Sequence, residues 1–185
     1  QIVSPFELLP YLATGVLAGL VAVAFIRTLS FTEVAFERLR IPEYLKAAVG
    51  GAMVGIIGLQ LPQVFGVGYT TISLALAGTL SAVTMAALVF TKIVATSITI
   101  GSGGSGGVFA PSLFLGAMLG GVVGTLVNQY FPGATASSGA YALVTMGAVV
   151  AATTHAPISA IIIIFELTQT IDIIPALMSA CVVSS

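Results

Sequence analysis

The chain has 185 residues, 58% of them hydrophobic and 6% charged, with a net charge of −1 and a mean hydropathy of +1.17. A soluble domain is about one-quarter charged, so this composition excludes a water-soluble fold and indicates a helical integral membrane protein with the lipid bilayer as its first partner. The charge balance leaves no basic footprint for nucleic acid, and the single cysteine, Cys181, excludes an internal disulfide and a cysteine-based metal cluster.

No charged residue occurs from Leu8 to Ile26, about the length needed to cross a bilayer. Gly15 and Gly19 set two small residues on one face of this span, which permits close packing on a neighbouring helix. Arg27 ends the run. The stretch from Arg27 to Lys46 then carries most of the charge and reads as an amphipathic continuation that ends before Pro42, with Lys46 in the connector beyond it. Its four basic residues (Arg27, Arg38, Arg40 and Lys46) place this connector on the cytoplasmic side by the positive-inside rule. A second helix is predicted over Ala47–Leu61, with a small-residue ridge at Gly51, Gly55 and Gly58 and a stop at Pro62. Gln63–Thr71 reads as a loop at the opposite surface, and Ile72–Ala77 as a short, re-entrant helix stopped near Gly78.

Leu80–Ile100 is a full-length span broken by one charge, Lys92. A membrane-embedded lysine signals function unless it lies near a helix end, where it snorkels to the interface. The glycine-rich run Gly101-Ser102-Gly103-Gly104-Ser105-Gly106-Gly107 follows, and a new helix begins near Phe109 and runs to Val127 with Gly116, Gly120 and Gly124 at four-residue spacing. Asn128–Ser138 is a polar connector and Ala140–Ala152 a short helix. Thr153–Pro157 is a second break, Ile158–Phe165 a β-branched helix ending at Glu166, and Asp172 opens a last helix with Pro175 in its first turn. Several of these segments are too short to cross about 30 Å of hydrocarbon at about 1.5 Å per residue. The expected fold is therefore all-α, a bundle of tilted, broken and re-entrant membrane helices.

The first break carries the functional signal. In hydrocarbon, non-helical backbone survives only against protein or a water-filled cavity. The amides of Val108, Phe109 and Ala110 open a helix and have no carbonyl four residues back to bond, so they and the positive end of the helix dipole suit an anion. Pro111 costs nothing there, because its missing N–H falls in the first turn. Holding the ion by partial charges gives selectivity without a trap too deep for conduction. No Asp, Glu and His group has metal-ligand spacing, so neither a metal nor a cofactor is expected. A different reading comes from Gly103-Gly104-Ser105-Gly106, which matches the G-x-S-G of rhomboid-type intramembrane serine proteases, with His155 as the base for Ser105.

Gly107-Val108-Phe109-Ala110-Pro111 resembles the G-x-F-x-P filter motif of the CLC family of chloride channels and chloride/proton antiporters. Lys92 on the preceding helix is similar to a basic residue of the family, and Thr154-His155-Ala156-Pro157 with Glu166-Leu167-Thr168 is similar to its penultimate helices. The resemblance implies that residues 1–185 are the second, C-terminal of two inverted repeats, lacking the N-terminal repeat and the last helix. It implies a non-enzymatic role in anion transport, with Gly107, Val108, Phe109, Ala110 and Pro111 as filter residues and the amides of Val108 and Phe109 on a central chloride. Lys92 is the candidate electrostatic contributor. Chloride is then the transported ligand, protons a second cargo if the parent is an antiporter, and the remainder of the same chain and a second copy in a homodimer the protein partners. The dimer would use Ile158–Phe165 and the final helix, and the setting would be the inner membrane of a prokaryote. The family's G-[KR]-E-G-P and G-S-G-x-P segments have no match here, so an isolated copy is not expected to conduct.

Overall fold

The computed structural model describes residues 8–130, 136–168 and 173–184. They form eight α-helices: α1 (Leu8–Arg38), α2 (Glu43–Gln60), α3 (Tyr69–Leu76), α4 (Ala82–Gly101), α5 (Phe109–Tyr130), α6 (Ser138–Thr154), α7 (Pro157–Thr168) and α8 (Ile174–Ser184). A 3₁₀ turn, Pro62–Val64, lies between α2 and α3. Three helices, α1, α4 and α5, are long and apolar enough to cross a membrane, while α6, α7 and α8 are shorter apolar pieces. An all-α membrane bundle of unequal helices is thus what the chain forms.

The helix ends follow local chemistry. Ser81 caps α4 by accepting the Thr84 amide at 3.2 Å. Gly78 ends α3 in a left-handed turn (φ 68°), with its amide on Ala75 O and the Thr79 amide on Leu74 O. Helix α1 runs through Arg27 to Arg38 without a break, the amphipathic continuation expected there, because a charged residue on an exposed face does not stop a helix. Helix α2 starts at Glu43, not Ala47, since Pro42 pre-sets its entry and Glu43 complements the dipole of its first turn. The expected connector at 128–138 begins later, as α5 continues to Tyr130, and residues 131–135 lie outside the described set. Asp172, expected to open the last helix, lies outside it as well.

Glycine decides how closely the central helices approach. A Cβ at Gly120 would meet Tyr141 O and Ala142 Cα, one at Gly124 would lie 2.7 Å from Ser138 Cα, and one at Gly116 would meet Met146 Cα. The stripe seen in the sequence is therefore the α5–α6 seam, the most extensive helix pairing in the chain. The Gly15 and Gly19 face of α1 does the same against α8, where a Cβ would come within 2.9 Å of Ala180 O and 3.1 Å of Ser184 O. By contrast, Gly51 and Gly55 on α2 face open space.

Around the α5–α6 seam the core fills with Phe25, Phe114, Leu115, Met118, Tyr141 and Val149, all fully buried. Tyr11 of α1 stacks on Tyr141 at 4.7 Å between ring centroids. Hydroxyls add polar links across helices. Thr32 of α1 donates to Ser97 O of α4 at 2.9 Å, and Ser184 of α8 donates to Ala148 O of α6 at 2.8 Å. This packing fixes where α4 stops and α5 starts.

Candidate functional site

Helix α4 ends in a Schellman motif. Gly103 adopts φ +90°, the Gly103 amide donates to Ile100 O at 3.0 Å, and the Gly104 amide reaches back to Thr99 O at 2.9 Å. Here glycine is needed for its left-handed freedom. Beyond the cap, the backbone from Gly104 to Gly107 has no regular structure, and α5 starts at Phe109. The first bond of its ladder runs from the Ser112 amide to Val108 O, 3.0 Å. The amides of Val108, Phe109 and Ala110 precede that ladder, as expected for a helix N-terminus.

This helix start opens onto a cleft of about 410 Å³ lined by Gly107, Ala110 and Pro111 on one side and by Lys92 and Thr99 of α4 on another. The break thus brings three of its expected residues and the lysine to one cavity. The Phe109 ring is 40% exposed, so this edge of the chain is not covered by its own packing. Gly107 does not sit in the left-handed region, and a Cβ there would meet nothing within 4 Å. A β-branched residue at Gly107 would therefore act by side-chain volume entering the cleft and not through an unfavourable φ.

Lys92 is 3% exposed and already engaged. Its Nζ donates to Val64 O at 2.8 Å and Gly66 O at 2.6 Å, and it lies 4.9 Å from the centroid of the Phe114 ring. Both carbonyls belong to the loop between α2 and α3, which turns back at Gly68 (φ 79°), where a Cβ would come within 2.6 Å of the Phe114 ring. Lys92 therefore braces that loop as one wall of the cleft, and two carbonyl dipoles partly offset its charge. Snorkelling does not describe it.

The protease alternative gains no support. Ser105 is an exposed residue of the break, and His155 is an exposed residue that ends α6 in the left-handed conformation (φ 51°). Among the described residues no hydrogen bond joins them. Glu166 is an exposed residue on the last turn of α7. Among the described residues no group of three or more His, Cys, Asp or Glu side chains comes together as a metal site.

Two residues that sequence reasoning passed over touch the site. Ser112, fully buried, donates its hydroxyl to Val108 O at 2.8 Å, and Thr153 of α6 donates to Ser112 Oγ at 3.0 Å. The only trace of them in the sequence is a hydroxyl residue one position past Pro111 and another at the end of the next helix.

The comparisons with known proteins concern the chain as a whole. The family model for voltage gated chloride channels matches residues 1–185. A ClcB-like chloride channel protein of Ralstonia nicotianae is 40% identical over 180 residues, covering 97% of this chain and 42% of the relative. The voltage-gated ClC-type chloride channel ClcB of Shigella boydii is 34% identical over 174 residues, covering 94% of this chain and 42% of the relative. The crystal structure of a eukaryotic CLC transporter superposes with a TM-score of 0.80 at 26% identity, covering 98% of this chain and 32% of that one. The chain thus spans about two-fifths of the length of the curated relatives it matches. On its match over the whole chain, its bacterial relatives and its fold, this membrane chain belongs to the voltage gated chloride channel (CLC) family.

Proposed function

We propose that this chain is the C-terminal repeat of the transmembrane domain of an anion channel or chloride/proton antiporter, and that it supplies the filter segment Gly107–Pro111. One observation carries the reading: α5 starts with the amides of Val108, Phe109 and Ala110 ahead of its ladder, and it meets the cleft between Lys92 and the glycine break through Ala110 and Pro111, with Val108 and Phe109 beside that lining and not in it. Chloride is held there by the amides of Val108 and Phe109 and by the helix dipole, with Lys92 as a background charge. The exposed edge at Phe109 is where the rest of the parent chain completes the binding site. Calorimetric titration of chloride into the detergent-solubilised full-length parent tests this. A Gly107→Val variant that folds and keeps wild-type affinity would rule out the backbone-amide site.

The partner set follows from the same reading: the bilayer of a prokaryotic inner membrane, chloride, protons in an antiporter parent, the remainder of the chain and a second copy. The dimer reading rests on α7 and α8, where Ile158, Ile162 and Val182 are 72%, 56% and 69% exposed. Ile164 is 1% exposed, beside Gly147 of α6, so it cannot report on an interface. Cysteine at Ile162 in the full-length parent should crosslink between copies, whereas cysteine at Ile164 should not. Absence of crosslinks from Ile158, Ile162 and Val182 alike removes this dimer face.

A further inference from the structure

The Val108 carbonyl accepts two hydrogen bonds, from the Ser112 amide at 3.0 Å and from the Ser112 hydroxyl at 2.8 Å. Ser112 Oγ is in turn an acceptor for Thr153 Oγ1 of α6 at 3.0 Å. We propose that Thr153 and Ser112 form a hydroxyl relay that polarises the Val108–Phe109 peptide, making the Phe109 N–H a stronger anion donor; this rests on the filter reading above. The C=O of Val108 and the N–H of Phe109 are the two ends of one peptide unit. Drawing electron density onto the oxygen leaves the N–H more positive, the cooperativity by which linked hydrogen bonds strengthen one another in a low-dielectric interior.

Serine and threonine hydroxyls often bond the carbonyl four residues back, and Thr28, Thr91 and Thr125 do so here. Those bonds lie inside helices, where the N–H of the same peptide is consumed by the ladder. The Phe109 N–H is ahead of the ladder. Ser112 also differs from them in receiving a hydroxyl from another helix. Thr153 has a single proton, with Val149 O at 2.9 Å and Val150 O at 3.2 Å also in reach. The relay requires that this proton face Ser112. If it faced Val149 instead, Ser112 would turn its own proton to Thr153 and leave the Val108 carbonyl, so the two arrangements give opposite signs on mutation.

The test is chloride titration of the full-length parent carrying Ser112→Ala, Thr153→Val, Thr153→Ser or the Ser112→Ala/Thr153→Val pair. A cooperative gain of about 10–30% on one charge-assisted bond corresponds to about a 1.3- to 4.5-fold loss of affinity for Ser112→Ala. Thr153→Val keeps the side-chain shape and should lose less. Thr153→Ser should restore wild-type affinity, and Thr153→Val should have no further effect in the Ser112→Ala background. Unchanged or tighter binding by Thr153→Val, a loss equal to it in Thr153→Ser, or additive losses in the pair would each overturn the relay. Thr153→Val carries the test if Ser112→Ala does not fold. With Gly107→Val measured alongside, weakened binding there but wild-type affinity in every relay variant refutes the relay alone. Wild-type affinity in Gly107→Val refutes the filter reading and the relay with it.

Discussion

The chain breaks its apolar helices at two places with opposite results. Between α4 and α5 the break runs from Ser102 to Val108 and leaves the start of the next helix facing a cleft. Between α6 and α7 it is closed up to His155 and Ala156 alone, with Thr154 donating back to Val150 O at 2.7 Å within the last turn of α6. Helix α7 resumes at once with Pro157 as its first residue, which lacks the donor that would otherwise be orphaned. A break in a membrane helix is therefore not in itself a site. Both helix starts leave two amides ahead of the first ladder bond, Phe109 and Ala110 in α5 and Ile158 and Ser159 in α7, so what separates the two is the length of the break and the cleft that meets it.

The largest expected effect tests whether the open break is braced from outside, as the closed one is not. Lys92→Met removes two charge-assisted hydrogen bonds, to the buried Val64 O and to Gly66 O at the cleft, and should destabilise the full-length protein by about 2–4 kcal/mol. Denaturant titration in detergent reads this. If the lysine acts chiefly as a brace, chloride affinity in the folded fraction should fall less than in Gly107→Val. A larger fall would mean that the full charge of the lysine outweighs the helix dipole in holding the ion.

Next comes the cleft itself. In Gly107→Val the fold should survive, since a Cβ meets open space, while chloride affinity drops about 10- to 150-fold, the loss of one charge-assisted hydrogen bond. Phe109→Leu keeps the amide and should change affinity by much less. A Phe109→Leu effect as large as that of Gly107→Val would move recognition from the backbone to the ring.

The smallest effect belongs to the closed break. His155 is a non-glycine residue at φ 51°, a conformation that costs about 1–2 kcal/mol. His155→Gly should therefore leave chloride affinity unchanged and raise stability by up to about 1 kcal/mol, measured by the same denaturant titration. A loss of affinity would show that the two breaks are coupled.

Much of the architecture was legible in the sequence because glycine and proline punctuate it. Gly78, the run at 101–107, Pro42, Pro62 and Pro157 all fall at helix boundaries. The Gly116, Gly120 and Gly124 stripe announced a close helix seam, though not which helix would fill it. Within the first break, the spacing drew attention to Gly107, whereas the residue that needs glycine's conformational freedom is Gly103. The partners of Lys92 were invisible because they are backbone carbonyls 26 and 28 residues away, and every residue has a carbonyl. The Thr153–Ser112 bond spans 41 positions and leaves no periodic trace. Ile162 and Ile164 read alike by hydropathy, yet one is exposed and the other fully packed, because lipid and protein interior favour the same side chains.

Cutting a helix in two creates a pair of ends with opposite polarity, and an ion near the cut feels both. The positive end of α5 attracts an anion only to the extent that the negative end of α4 is silenced. The cap at Gly103 does this silencing. The carbonyls of Ile98, Thr99 and Ile100 accept the amides of Ser102, Gly104 and Gly103, and Thr99 O also takes the Ser102 hydroxyl at 3.1 Å. In the proposed filter, three of the four terminal carbonyls that would repel chloride have donors from the same turn, which would favour an anion at the cut without any added charge. A residue that loosened this cap would weaken chloride binding without touching the ion, by uncovering a repulsion the wild-type turn keeps hidden.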